Sequence, residues 1–429
     1  MSNTQTYKKA IWLYVILLIF EGALRKWILP FLDTPLLLVR EPIVLWLFWE
    51  GLKRGWLKNW LSISIMSIST LSFLLSLPAL HQTIPTAMFG WRIYFVHIPF
   101  IFIAAKILQR DDVLKIGRFL LYLLIPMTLL MVLQFYSPQS AWVNRGVGNN
   151  IEGAGFDGLM GFFRPPGTFS FTSGLILYLQ ISGSFLFYFL INNKNLIKNL
   201  QIKPILLYTM LGCYAITIPT SISRTHLFQT LILILFLFIG VIFSQNKKII
   251  KQFSAFLPIS LILLIGLLVS GLANESIEVL TTRFENASDA EGGLKGTLGE
   301  RYFGSFIRAF SDPDIPLFGN GLGLGTNIGA KLAGGTDGMF SFFNGEEEWV
   351  RITNESGIIL GVFIILYRLL VAIKFSFAGF RKLIYQHDLL PWMLIPAFAL
   401  NFINGSLGIP TNLGFIVLAA FLYLASLKK

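Results

Sequence analysis

The chain has 429 residues, of which 55% are hydrophobic and 13% charged, and its mean hydropathy is +0.69. A soluble protein of this size has too little interior to hide that much apolar surface, so composition excludes a water-soluble globule and makes the bilayer the solvent. The net charge of +12 does not mark a nucleic-acid binder, because the basic residues sit in short clusters between apolar segments, as membrane topology requires.

In chain order, runs of roughly 17 to 25 mainly apolar residues predict spans near 10–29, 34–50, 60–80, 90–107, 117–136, 168–191, 203–219, 225–243, 254–272, 353–375, 388–404 and 409–427. The first run ends on Glu21, Arg25 and Lys26 without a small-residue cleavage site, so it reads as a retained helix and not a signal peptide. Lys8 and Lys9; Lys53, Arg54 and Lys58; Arg110, Lys115 and Arg118; Lys194, Lys198 and Lys203; Lys247, Lys248 and Lys251; Arg381 and Lys382; and Lys428 fall on alternate connections. Those connections and both termini are therefore expected in the cytoplasm. The expected fold is all-α and polytopic, with about twelve transmembrane helices. Helices 1–9 occupy residues 1–272, one large external loop with short amphipathic helices occupies 273–353, and helices 10–12 occupy 354–429. Two stretches, 144–161 and 285–297, are rich in glycine and small polar residues and read as flexible. The lone cysteine, Cys213, leaves no disulfide and no cysteine metal site.

The external arginines are the candidates for chemistry. Arg92, Arg164 and Arg224 each sit at the outer end of a span, where a lipid-linked phosphate would also sit. Guanidinium stays charged and offers a planar fork of donors matched to phosphate oxygens, so several of them converging would clamp a diphosphate. The alternative is snorkelling into lipid headgroups; Arg224, a lone positive charge on the wrong side for the topology rule, most needs a reason. Arg301 and Arg308 are spaced to share one face of a helix whose Phe303, Phe306, Ile307 and Phe310 would lie against membrane or bundle.

The acidic segment Glu346-Glu347-Glu348 opens a further helix, placing Glu348, Arg351 and Glu355 on one face and Glu347 four residues before Arg351. One glutamate is a candidate general base toward a sugar hydroxyl, with Arg351 and Glu355 positioning substrate; the alternative is acidic stabilisation of a helix N-terminus. Three consecutive glutamates point in different directions, so no metal site is expected. The run Gly319-Asn-Gly-Leu-Gly-Leu-Gly325 lacks the closing Lys-Ser/Thr of a nucleotide loop and reads as a close approach to ligand or bundle. His81, His97 and His226 read as structural.

Together these pieces resemble the O-antigen ligase and O-antigen polymerase family of bacterial envelope proteins. The resemblance rests on Arg164-Pro-Pro-Gly-Thr-Phe169, Ser223-Arg224-Thr225, Arg301 with its aromatic helix, Leu317-Phe-Gly-Asn-Gly-Leu-Gly323 and Glu355-Ser-Gly357-Ile-Ile-Leu-Gly361, over the C-terminal two-thirds of the chain. It implies an inner-membrane glycosyltransferase whose donor is an undecaprenyl-diphosphate-linked glycan, with no metal, nucleotide or other cofactor. Arg224 and Arg301, with Arg164 and Arg308 behind them, would hold the diphosphate. Ligases of this kind carry a histidine about ten positions before the residue matched by Gly357; this chain has Glu346, Glu347 and Glu348 there instead. That difference favours polymerisation of repeat units over transfer to a lipid A core or protein. A flippase or other transporter is the non-enzyme alternative, and a chain-length regulator and a flippase are the expected protein partners. Glu21-Gly-Ala-Leu-Arg-Lys-Trp27 has no counterpart in this pattern.

Overall fold

The computed structural model describes residues 2–79, 82–153, 155–271, 273–291, 304–311, 315–326, 329 and 347–428. Arg301 and Glu346 lie outside the described residues, as do Phe303, His81 and residues 292–297 of the second flexible stretch.

Among the described residues the fold is all-α apart from one hairpin. The helices of seven residues or more begin with α1 (Ser2–Ala23), α2 (Glu41–Lys53), α3 (Trp60–Ser76), α4 (Ile84–Ile107, with a wider turn at Ile93–His97) and α5 (Arg110–Tyr136). Next come α6 (Thr172–Asn192), α7 (Pro204–Thr220), α8 (Arg224–Ser244), α9 (Lys247–Val269), α10 (Asn274–Glu291) and α11 (Ser305–Ser311). The chain closes with α12 (Glu348–Gln386), α13 (Leu389–Asn404) and α14 (Pro410–Ser426). A helix lies at each of the twelve apolar runs. In an apolar solvent a helix alone satisfies every backbone N–H and C=O within its own segment. Local sequence sets where the helices start: the side chains of Asn59, Thr83, Ser223, Asn246 and Asp388 accept the first free N–H groups of α3, α4, α8, α9 and α13.

Five helical stretches (Ile84–Ile107, Arg110–Tyr136, Thr172–Asn195, Arg224–Ser244 and Glu348–Gln386) are long and apolar enough to cross a membrane. α6 and α14 are buried almost end to end and form the axis of the bundle, with α13 between α12 and α14. The outer helices instead expose large apolar side chains, among them Leu129, Leu231, Ile262 and Leu370. Such wide apolar faces need a partner other than water.

One expectation is corrected. Residues 144–161 were expected to be flexible, yet Phe156–Leu159 and Phe162–Arg164 pair as an antiparallel hairpin, β1 and β2. Met160 and Gly161 both take positive φ in its turn, the twist that a tight hairpin favours. Phe162 stacks on Phe135 of α5 at 4.5 Å, which docks the hairpin on the bundle. Within 273–353, where a loop with short amphipathic helices is expected, α10, α11 and the first turns of α12 are helical.

α12 is broken at Gly357 (φ 77°, ψ 168°), so Glu348–Ser356 folds back beside the long segment that follows. The break receives the glycine run: a Cβ on Gly357 would lie 2.2 Å from the Leu317 carbonyl, and the Asn320 N–H donates to the Asn354 carbonyl at 2.7 Å. Gly357→Ala is expected to destabilise the fold by about 1–3 kcal/mol through a positive φ and a backbone clash. A lower thermal midpoint in detergent is the measurement; an unchanged midpoint would refute the break.

Candidate functional site

A cavity of about 260 Å³ opens where the ends of α6, α8, α13 and α14 meet the hairpin. Arg164 and Pro165 line one side, following directly from β2. Thr172 and Ser173 come from the start of α6, and Ser221, Ser223, Thr225 and Gln229 come from the α7–α8 turn. Asn401, Ser406 and Asn412 complete it from α13, the following loop and α14. The lining therefore sets one cation, hydroxyls and amides beside the apolar side chains of Phe171, Ile176, Leu177 and Ile416, a mixed surface suited to an amphiphile with a polyhydroxylated or phosphorylated head.

Part of this lining is already engaged. Ser173 Oγ donates to Asn412 Oδ1 at 2.8 Å, and Asn401 Nδ2 donates to Gln180 Oε1 at 2.6 Å. Gln229 Oε1 and Ser406 Oγ are buried with no hydrogen-bond partner among the described residues. Buried polar groups are rarely left so, and a ligand or water in the cavity is the natural partner.

The α7–α8 turn is strained. Ile222 takes φ 47°, a conformation that β-branched residues avoid. The Arg283 side chain of α10 donates to its carbonyl at 2.7 Å, and Ile222 packs with Phe135 and Val279. Strain of this kind survives only where surrounding contacts impose it. It sets Ser221 and Ser223 into the cavity and starts α8 at Arg224, which is half-buried and not itself a lining residue.

Buried charge clusters support the cavity from both sides. On the first, Glu21 pairs with Arg25 (3.4 Å) and Arg40 (3.1 Å). Arg25 Nη1 donates to Ser170 Oγ at 3.0 Å, Lys26 Nζ to the Gly167 carbonyl at 2.7 Å, and Arg40 Nη2 to the Pro410 carbonyl at 2.9 Å. Gly22 allows the close approach, since a Cβ there would lie 2.5 Å from the Thr168 carbonyl. The stretch Glu21–Trp27 thus fastens the loop between Arg164 and α6. Arg92, expected at the interface, is paired with Glu41 beside His97.

On the second side Glu348 accepts from Arg351 (2.9 Å) and Arg368 (2.6 Å), while Arg351 also donates to Glu355 (2.7 Å) and Tyr94 (3.2 Å). Arg368 donates to the Phe402 and Gly405 carbonyls at 2.7 and 2.8 Å, so it holds the end of α13 that lines the cavity. Glu355 accepts from the Gly325 N–H at 2.8 Å and ties in the glycine run.

The expected face of Glu348, Arg351 and Glu355 is therefore present, but buried and internally paired. Glu347 does not pair with Arg351. It stands outside the first turn of α12 and binds Arg308 of α11 at 2.5 and 3.1 Å, at a partly exposed position. Phe306 of α11 meets Trp349 at 4.6 Å beside this pair. His226 is buried against Thr217, in keeping with a structural part.

Sequence reasoning missed Arg368, Gln229, Asn401 and Asn412. Arg368 carried a signal, being an isolated charge well inside an apolar run. The amides carried none, because nothing local distinguishes them from ordinary polar residues in a helix. No protein-family profile, curated protein or solved structure matches this chain.

Glu21→Gln leaves Arg25 and Arg40 buried without a carboxylate, and is expected to cost about 3–5 kcal/mol. Glu50→Gln, whose ion-pair partners Lys53 and Arg54 are exposed and whose amide oxygen can still accept from Tyr7, is expected to leave stability nearly unchanged. Denaturation of both variants in matched detergent checks the contrast.

Proposed function

We propose that this protein is a polytopic inner-membrane glycosyltransferase that polymerises undecaprenyl-diphosphate-linked repeat units at the outer face of the membrane. On this reading all twelve apolar helices span, and both termini are cytoplasmic. The observation that carries the proposal is the cavity at the helix ends, with Arg164, Ser221, Ser223 and Thr225 on its wall beside apolar side chains, and apolar helix faces around it. An amphiphile with an apolar tail and a phosphorylated, hydroxyl-rich head matches both surfaces.

The donor diphosphate lies toward Arg164 and Arg224. Arg224 occupies the N-terminal end of α8, where the helix dipole favours an anion, so guanidinium and free N–H groups serve the same ligand. Arg301 remains part of the proposed clamp, and Arg308 belongs with Glu347. The acceptor hydroxyl oxygen bonds to the anomeric carbon while the bond from that carbon to the diphosphate breaks. The electron pair leaves with undecaprenyl diphosphate, which the arginines stabilise. The proton passes to a carboxylate. Glu347, and Glu346 before it, are the candidates: Glu348 is buried between Arg351 and Arg368, whereas Glu347 is partly exposed and reaches the acceptor by giving up its pair with Arg308. Arg351 and Glu355 position the site from behind.

The buried charges of Arg368 and Lys26 favour a second reading, transport of the lipid-linked glycan, since charges inside spans often line a translocation path.

In cells lacking the protein, wild type is expected to restore a ladder of surface polysaccharide. Arg164→Ala and Arg224→Ala are expected to leave single repeat units, with polymerisation reduced on the order of a hundredfold or more. A normal ladder from both variants, correctly inserted, would overturn the mechanism. Loss of single and polymerised units alike from the outer face would favour transport, and full-length polymer accumulating on the carrier lipid would favour a ligase.

A further inference from the structure

We propose that the end of α12 remote from the cavity binds the phosphate headgroup of an anionic phospholipid, with an acyl chain lying along the same helix. Phe363, Leu366, Leu370, Ile373 and Phe377 are all exposed and recur at alternating steps of three and four residues, a single stripe down α12. The stripe covers about 21 Å at 1.5 Å per residue, longer than the roughly 15 Å half-thickness of a bilayer core. Arg381 and Tyr385 continue it, one and two turns beyond Phe377, and both are exposed.

At this point the surface becomes concave. A cavity of about 380 Å³ lies between Arg381, Lys382, Tyr385 and Gln386 of α12 and Leu427 just after α14. The charge balance there is positive. Asp388, the nearby carboxylate, is taken by both terminal nitrogens of Arg110, and Lys382 reaches it only at 3.9 Å while donating to the Lys428 carbonyl at 3.1 Å. Arg381 forms no ion pair among the described residues. Its guanidinium remains charged and its fork fits phosphate oxygens. An apolar track ending in the Arg381 guanidinium and a tyrosine hydroxyl is complementary to a lipid with a negative head. It is not complementary to a soluble anion, which makes no use of the track. This site is separate from the cavity and does not depend on the function proposed for it.

Native mass spectrometry of the purified full chain in neutral detergent tests the assignment, with phosphatidylglycerol, phosphatidylcholine and inorganic phosphate as probes. Wild type is expected to retain phosphatidylglycerol over phosphatidylcholine. Arg381→Gln, a change at an exposed and unpaired side chain, is expected to lower that retention about fivefold while the lipid-free thermal midpoint stays unchanged. Arg381→Lys, which keeps the charge and loses the fork, is expected to fall between. Equal retention by wild type and Arg381→Gln would overturn the proposal. So would equal binding of phosphatidylcholine, which needs only the apolar stripe, or displacement of phosphatidylglycerol by millimolar inorganic phosphate, which would identify a soluble-anion site.

Discussion

A charge removed from water in an apolar bundle must find a partner, and in this protein that requirement shapes the site. Breaking a buried pair costs several kcal/mol because the surviving charge is stranded. Each cluster has therefore recruited whatever acceptors the fold offers, and many of these are backbone carbonyls in loops or at helix ends. Arg40 reaches Pro410, Lys26 reaches Gly167 and Arg368 reaches Phe402 and Gly405. Loops that surface chemistry alone would leave loose are fixed by side chains from other helices. The cavity between them is preorganised, the condition under which fixed dipoles and charges contribute most to catalysis or recognition.

The two sides of the site differ in how they are held. Arg164 is placed by a hairpin and Ser221–Ser223 by a strained turn, and both rest on the same small apolar cluster of Phe135, Ile222 and Val279. The amides on α13 and α14 instead sit on rigid, deeply buried helices. Recognition would thus combine a firm floor with a wall whose geometry depends on one backbone conformation at Ile222.

Much of this architecture was legible in the residues. Runs of apolar residues without helical periodicity could be read as helices because lipid leaves the backbone no alternative. The face shared by Glu348, Arg351 and Glu355 followed from helical spacing. What spacing does not state is which way that face turns. Burial was decided by Tyr94 and Arg368, which lie 257 and 17 residues from Arg351. The partner of Glu347 failed for a similar reason, since a side chain at the edge of a helix is free to choose a neighbouring element, here α11. The hairpin was missed because its glycines resemble those of an unstructured stretch. Its stabilising contact, Phe135 on Phe162, lies outside that stretch altogether. The motif Glu21–Trp27 was visible as unusual, but its meaning lay in residues 167–170 and 410.

The separation between Arg40 and its acceptor at Pro410, 370 positions along the chain, bears on how the protein is made. Helices emerge from the ribosome in order, and the first two are complete long before α14 exists. Until the final helix is synthesised, Arg40 has Glu21 and the ring of Tyr14 but not its backbone acceptor, and Lys26 awaits the loop before α6. The early helices must therefore wait at the hydrated membrane boundary, or against an insertion factor that shields them, and settle last. The late pairing of these distant segments would act as a checkpoint on assembly: a protein truncated before residue 410 would keep the Arg40–Glu21 pair but leave the Arg40 guanidinium short of its backbone acceptor, a defect open to quality control.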